Sequence, residues 1–459
     1  MDRLAPFDLN LIKRDWIEGV SGRAFYQRVQ RRIRAIRQGH VAAYQRGVMI
    51  VERDPVKFAA AYFAAAYLEV PLIVANPRWG RLEWEKVTEQ VNPSIIFGSC
   101  PLRAAVRKGI SSPSPGSILI PTGGSSGGVK FAIHTWQTLS AAGKGLSDFM
   151  GPGAMNWCCV LPLFHVSGLM QLMRAFQFGD RIAFSEFKEL RAGALPAFEP
   201  HTLCVSLVPT QLQRLMEQKS LIDYLSAARA IFIGGAPTPS AVEARARQLR
   251  LPLVLSYGMT ETAAMVSALP IEAFWAGSSH AGRPLSHVRI EVCGPDAEAC
   301  SVGVIGQIRI QGRSLFKAYH GGAELSQSGE FYITGDEGYL DAAGHLHVVG
   351  RSDRLVISGG EKIDPREVEE ALLRAGSIDQ ALVLGWPDSE WGQRLIAFYT
   401  ISTPELDQGQ LEAGIRAELA NFKIPKQMIR VGALPVNGHG KLDRSLVEDL
   451  IRKDREYIK

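Results

Sequence analysis

Residues 121–130 read Pro-Thr-Gly-Gly-Ser-Ser-Gly-Gly-Val-Lys, and from Thr122 to Lys130 four glycines, three hydroxyls and one lysine fall within nine residues. Glycine lets successive backbone N–H groups turn toward one anion, and hydroxyls and an ammonium add donors and charge. This is the chemistry of a phosphate cradle. The same composition also suits a flexible Gly/Ser linker, and on its own the segment reads equally well as either. It is not a Walker loop, which needs a Gly-Lys pair followed by Ser or Thr. The apolar Ile118-Leu119-Ile120 before it and Phe131-Ala132-Ile133 after it predict a turn between two strands.

Four further segments carry residues able to do chemistry. Leu161-Pro-Leu-Phe-His165-Val-Ser-Gly-Leu169 puts an imidazole and a hydroxyl beside a glycine. Gly234-Gly235-Ala236 follows a strand-like run and precedes Ser256-Tyr-Gly-Met-Thr-Glu-Thr262. Thr334-Gly335-Asp336 precedes Gly350-Arg351-Ser352-Asp353. Pro435-Val-Asn-Gly-His-Gly440-Lys441 places a lysine in a glycine-flanked loop, where a lysine is ordinarily only solvated.

These segments need elements to position them. Ala-rich Val56–Leu68 and amphipathic Arg81–Gln90 read as helices, alternating with strand-like Val70–Ala75 and Ser94–Gly98. More strand-like runs follow at Trp157–Leu161, Thr202–Val208, Ala230–Ile233 and Leu253–Ser256. Such alternation predicts an α/β fold of helix-covered sheets, with ligands beyond the carboxyl ends of the strands. After about residue 286 the texture becomes short alternating strands, a β-rich subdomain over about 286–350. The expected organisation is a large N-terminal domain, 1–350, and a mobile α+β domain, 351–459, of ordinary domain size.

Composition narrows the function. The 459 residues are 46% hydrophobic and 21% charged, which suits globular domains. Net charge is +5, from 51 basic and 46 acidic residues, too mild to suggest a nucleic-acid partner. The one basic cluster, Arg23–Arg37, interleaves Phe25, Val29, Ile33 and Ile36 at helical spacing, and predicts an amphipathic helix with a solvated basic face. None of the six cysteines has metal-ligand spacing, and all six are expected to be reduced. Met1–Trp16 has no signal-peptide core and no 18-residue apolar run occurs, so a cytoplasmic protein without membrane insertion is expected. Homo-oligomerisation stays open.

In order and approximate spacing, the five segments resemble the adenylate-forming superfamily of acyl-CoA synthetases, peptide-synthetase adenylation domains and firefly-type luciferases. The resemblance runs from about residue 56 to 445. It implies ATP, Mg²⁺ and CoA as cofactors or co-substrates. A carboxylate attacks the α-phosphorus of ATP and displaces pyrophosphate, so donors, a metal and a cation must be fixed in place beforehand. By resemblance, Thr122, Gly123, Gly124, Ser125, Ser126, Gly127 and Lys130 wrap the β- and γ-phosphates. Thr260 contacts the α-phosphate and Glu261 holds Mg²⁺. Gly235 and Ala236 line the adenine, with Tyr257 and Gly258 beside it, and Asp336 and Arg351 take the ribose. Lys441 carries adenylation, Asp353 is the hinge, and Ser358–Lys362 admits a pantetheine arm. The loop departs from the family pattern in having Gly123 where Ser is usual and in lacking a proline before its lysine; the N-terminal region is also short.

Phe164–Leu169, continuing through Met173 to Arg174, is similar to o-succinylbenzoate–CoA ligases of menaquinone and phylloquinone biosynthesis. The Tyr257–Ala263 segment and the compact length are similar too. Such an acid has two carboxylates, only one of which is activated. Arg174 suits a bidentate grip on the other, and lies nine residues after His165 on an expected helix, which is expected to put the two on the same side. His165, Ser167 and Gly168 line the acyl pocket, with His165 also a candidate catalytic residue. Another acyl- or aryl-CoA ligase, or a stand-alone adenylation enzyme loading a carrier protein, remains an alternative.

Overall fold

The computed structural model describes residues 5–101, 112–124, 128–294, 296–322, 330–351, 356–375, 378–401, 408–435 and 444–457. The chain divides into two compact units. One comprises Met1–Pro77, Val87–Thr122 and Lys130–Asp353; the other comprises Arg78–Lys86, Gly123–Val129 and Arg354–Lys459.

A sheet of five strands runs in the spatial order Ile95–Gly98, Val48–Val51, Leu72–Val74, Ile118–Gly124, Gly128–His134. Its first four strands are parallel. The Gly/Ser segment therefore joins two neighbouring strands, as the flanking apolar runs predict. Helix Pro55–Tyr67 connects two of the parallel strands. Asp54 caps it by accepting from the amides of Val56 and Lys57, and Pro55 sits at its first position, where no N–H is needed. Phe58 to Ala66 are all buried, so this helix is covered on every side rather than amphipathic. Helix Gly22–Gln38 is amphipathic as expected, burying Phe25, Val29, Ile33 and Ile36.

The first unit also holds a seven-stranded sheet in the order Arg283–Pro284, Ala264–Ala268, Leu253–Met259, Ala230–Ile233, Leu203–Leu207, Asn156–Cys159, Ile182–Phe184. Its last five strands are parallel and buried; the first two are antiparallel additions. A four-stranded antiparallel sheet, Val288–Cys293, Gly306–Gly312, Tyr332–Leu340 and Leu346–Arg351, forms the β-rich part. The main core joins aromatic rings from distant segments: Phe63 packs on Phe176 at 4.6 Å, and Phe7 on Trp136 at 4.7 Å. A fully buried ring such as Phe63 contributes about 1.5–3 kcal/mol.

The second unit has a five-stranded sheet built on the hairpin Gln380–Asp388 and Gly392–Thr400, with helices Pro365–Ala375 and Gln408–Glu418. Inside this unit, buried Lys423 lies between two buried carboxylates, 2.9 Å from Glu83 and 3.0 Å from Glu367. Burial alone would lower its pKa, but the fields and hydrogen bonds of Glu367 and Glu83 outweigh that and raise it. The α/β class is thus as the sequence patterns predicted. No helix of the described residues is long and apolar enough to cross a membrane.

Candidate active site

Strand Leu253–Met259 runs out of the parallel sheet and then turns sharply. Thr260–Thr262 forms one turn of 3-10 helix, and Ala263 and Ala264 follow at φ +54° and +77°. Two consecutive non-glycine residues in this region are strained, and such strain persists only where surroundings over-determine it. Thr262 supplies part of that constraint: its hydroxyl accepts from the Met259 amide at 3.0 Å and donates to the Ala264 carbonyl at 2.7 Å. Gly258 supplies more, because a Cβ there would lie 2.0 Å from the Ala264 carbonyl oxygen.

This turn fixes Thr260 and Glu261. The Thr260 carbonyl accepts from His134 Nε2 at 2.7 Å, so that nitrogen carries the ring proton, and Nδ1 lies 3.0 Å from the Thr138 hydroxyl. Burial lowers the His134 pKa to about 4 against the opposing pull of the Thr260 hydrogen bond and the Glu261 charge. Glu261 is 4% exposed. Its Oε1 accepts from the Tyr319 hydroxyl at 2.7 Å, while its Oε2 is buried without a hydrogen-bond partner among the described residues. Burial, then the Glu261 charge, raises the Tyr319 pKa, so the phenol stays a donor. Lys130 Nζ stands 5.4 Å from the Tyr319 ring centroid. The described residues thus gather Lys130, Tyr319, Glu261 and Thr260 around one turn. A buried carboxylate oxygen left without a donor calls for a partner that the described residues do not supply.

Tyr257 and Asp336 form a second pair. The Tyr257 hydroxyl donates to Asp336 Oδ2 at 2.6 Å, and burial together with the Asp336 charge holds the Tyr257 pKa well above its ordinary value. The Thr334 hydroxyl accepts from the Asp336 amide at 3.1 Å and donates to the Ile308 carbonyl at 2.8 Å, which locks the carboxylate's backbone. Asp336 is in register with Arg351 on the neighbouring strand. Gly235 turns at φ +81°, just beyond strand Ala230–Ile233.

The third group lies around helix Val166–Phe178. His165 precedes this helix, and its carbonyl accepts from the amides of Gly168 and Leu169 at 3.1 and 2.9 Å. Gly168 must be glycine, since a Cβ would sit 2.2 Å from the Pro162 carbonyl. Arg174 is 2% exposed. Its Nε and Nη2 have no hydrogen-bond partner among the described residues, and its guanidinium lies 5.5 Å from the Trp157 ring. Burial lowers its pKa to about 9, so it stays charged at neutral pH. The expected shared side with His165 is corrected here: nine residues at 100° each is half a turn out of phase, and His165 stands before the helix while Arg174 points into the core.

Ser125, Ser126, Gly127, Asp353 and Lys441 lie outside the described residues. Gly123 and Gly124 end strand Ile118–Gly124, and Arg351 ends strand Leu346–Arg351. Thr122 is buried. Sequence reading missed His134 and Tyr319. Neither belongs to one of the five motif segments, so their roles emerge only when distant strands meet.

The family model of AMP-binding enzymes matches residues 105–320, and that of the AMP-binding enzyme C-terminal domain matches residues 367–441. A 2-succinylbenzoate–CoA ligase of Oceanobacillus iheyensis is 34% identical over 68% of this chain and 64% of its own length, so the chain spans just under two thirds of that relative. One of Listeria monocytogenes is 31% identical over 72% of this chain and 68% of its own. In fold, the chain is similar to an o-succinylbenzoate CoA synthetase of Bacillus subtilis bound to a product analogue, with TM-score 0.80, 24% identity, and 95% and 94% of the two chains covered. It is also similar to an amide bond synthetase of Marinactinospora thermotolerans, with TM-score 0.79, 21% identity, and 96% and 98% covered. The five ordered motifs, the matched models and these relatives place the chain in the family of AMP-binding, adenylate-forming enzymes.

Proposed function

We propose that this protein is an AMP-forming carboxylate–CoA ligase whose acid is 2-succinylbenzoate, working in menaquinone or phylloquinone biosynthesis. The observation that carries the choice of acid is Arg174, a buried guanidinium with unspent donors on the helix that follows His165. Leaving such donors unpaired costs about 1–3 kcal/mol each, and the aryl carboxylate of a keto-diacid would satisfy them in bidentate fashion. A fatty-acid pocket has no use for that charge. The curated relatives named above are 2-succinylbenzoate–CoA ligases, which supports the same acid.

The reaction has two steps. The succinyl carboxylate attacks the α-phosphorus of ATP and pyrophosphate leaves, giving an acyl-adenylate. The CoA thiol then attacks the acyl carbonyl and AMP leaves. The Thr122–Lys130 loop holds the departing phosphates, Thr260 meets the α-phosphate, and Asp336 takes the ribose hydroxyls with Arg351 assisting. Gly235, Ala236, Tyr257 and Gly258 border the base. His165, Ser167 and Gly168 border the acid. Lys441 bridges the attacking carboxylate and the α-phosphate, and the C-terminal domain, 351–459, turns about Asp353 between steps. Glu261 Oε2 fits a magnesium ion, which takes one or two carboxylates and otherwise keeps water and phosphate oxygens; bound there, the ion would offset charge on the leaving phosphates.

The test is ATP- and CoA-dependent pyrophosphate release across a panel of carboxylic acids. Turnover of 2-succinylbenzoate above simple benzoic and fatty acids is expected. Activity with those acids and none with 2-succinylbenzoate would overturn the substrate. Release that needs no CoA and loads a carrier protein instead would favour a stand-alone adenylation enzyme.

A further inference from the structure

A second buried group near Arg174 has no partner. His287 lies between strands Arg283–Pro284 and Val288–Cys293, and is 4% exposed. Neither ring nitrogen has a hydrogen-bond partner among the described residues. The ring is seated against helix Trp136–Met150 at Gly145: a Cβ there would fall 1.8 Å from Nδ1 and 2.6 Å from Cε1. Only glycine leaves that space, so this helix position is shaped around the imidazole. With Nδ1 against the helix, Nε2 is the nitrogen on the far edge.

Buried imidazoles ordinarily satisfy at least one nitrogen, and each unmade bond costs about 1–3 kcal/mol. Here two orphaned donors' worth of side chain, Arg174 and His287, come from different elements of one unit. The helix that seats His287 at Gly145 meets the Arg174 helix at Gly143, where a Cβ would lie 2.6 Å from Gln177 Oε1. Burial first, then the Arg174 charge, lowers the His287 pKa to about 4. The imidazole is therefore neutral at neutral pH, with one N–H to give and no second cation added to the site. Arg313 adds to this lowering and Asp148 opposes it. Asp148 is itself engaged by Lys144 at 2.6 Å and by the Ser286 hydroxyl at 2.9 Å, so it is not the partner of His287.

We infer that His287 is a specificity residue for the acid, donating its Nε2–H to the carboxylate that is not activated while Arg174 grips the same group. This rests on the reading of the substrate as an aryl diacid. Two donors on one carboxylate, one charged and one neutral, would select a fixed ring carboxylate over a hydrogen or a methyl group at that position.

The test compares 2-succinylbenzoate with 4-oxo-4-phenylbutanoate, which lacks only the ring carboxylate, in the full-length enzyme with ATP and CoA. His287→Phe should raise KM for the diacid about tenfold to a hundredfold, leave KM for ATP unchanged, and leave the mono-acid's kinetics unchanged. His287→Gln, which keeps an N–H, should recover part of the loss. Gly145→Ala tests the same contact without altering the imidazole, and should raise KM for the diacid by displacing the ring. Calorimetric titration of 2-succinylbenzoate into each variant reads binding apart from turnover and works where a variant turns over poorly. Equal effects of His287→Phe on both acids, or none on either, would overturn the role of His287 while leaving the substrate intact. Wild-type enzyme that neither binds nor turns over the diacid would overturn the substrate reading and this inference together.

Discussion

The Tyr257 phenol donates a 2.6 Å hydrogen bond to Asp336 Oδ2, joining the parallel sheet to the β-rich sheet through one buried contact. Tyr257 lies two residues before the end of strand Leu253–Met259, and Asp336 sits in the middle of strand Tyr332–Leu340. The bond does two things. It fixes one carboxylate oxygen, and it commits the phenol edge so that the ring face is left for stacking. Under the proposed roles, Tyr257→Phe keeps the ring and loses only the orienting bond. A hydrogen bond to a charged group contributes about 1.5–3 kcal/mol. We expect KM for ATP to rise by about tenfold with kcat little changed, measured by initial rates at saturating acid and CoA. Unchanged KM would show that Asp336 is positioned by Thr334 alone.

Lys441 is assigned by resemblance, and its two-step prediction is sharp. Lys441→Ala should lower ATP-dependent acyl-adenylate formation by about 10²–10³, the usual effect of removing one transition-state donor. Thioester formation from supplied acyl-adenylate should survive. Loss of both half-reactions together would point to a folding defect or to a different role.

Much of this architecture could be read from local pattern, and the rest could not for an identifiable reason. Helix Arg81–Gln90 and strand Ala230–Ile233 have the bounds that periodicity assigned them. Strand Leu253–Met259 runs three residues further than its apolar run suggests, because Tyr257–Met259 pair with Ala264–Ser267 across a bulge and not within the parallel sheet. Glu261 and Asp336 stand in segments whose resemblance to the family singles them out. Their pairings carry no such signal: Tyr319 lies 58 residues from Glu261, and the Tyr257–Asp336 bond spans 79. Arg174 stands out as a carboxylate grip, but nine residues after His165 is half a turn out of phase with it. The burial of Lys423 between Glu83 and Glu367 had no sequence signal, since all three look like ordinary surface charges until the unit folds.

His134 predicts an acid limit to stability. Its pKa falls from about 6.5 in the unfolded chain to about 4 in the fold. Between these values the unfolded state binds more protons, so stability rises with pH and is lost as pH falls through that window. Thermal melts of wild type and His134→Gln between pH 4 and pH 7 should diverge, with the variant showing the shallower dependence. Parallel slopes would show that other groups set the acid limit. Because His134 also holds the Thr260 carbonyl, the same variant should lower kcat more than it raises KM for the acid.

Lys423 predicts an alkaline limit in the second unit. Its folded pKa is raised, so its stabilisation is fully present below the unfolded value of about 10.4 and is lost as pH rises through the folded one. Removing one member of a buried ion cluster leaves uncompensated charge and typically costs about 3–5 kcal/mol. Lys423→Ala should therefore unfold the second unit at markedly lower denaturant, read by hydrogen exchange on strand Gly392–Thr400. Replacing Lys423, Glu83 and Glu367 together by Met or Leu should restore most of the loss. A single variant within 1 kcal/mol of wild type would mean that water enters and solvates the cluster.

Arg174 separates function from stability most cleanly. Its guanidinium is buried, charged and short of partners among the described residues. A side chain kept only for folding would not be left so. Exchanging an unpaired buried charge for an apolar chain of similar size removes the penalty of desolvating it. Arg174→Met should thus raise the melting temperature of the ligand-free protein while raising KM for 2-succinylbenzoate far more than KM for ATP. Lysine would keep the charge but not the planar fork, so Arg174→Lys should recover little affinity. A destabilised Arg174→Met with equal effects on both substrates would mean that the cation–π contact with Trp157 is the reason for the residue. Stabilisation with selective loss of the acid would mean instead that the fold carries this charge for its substrate.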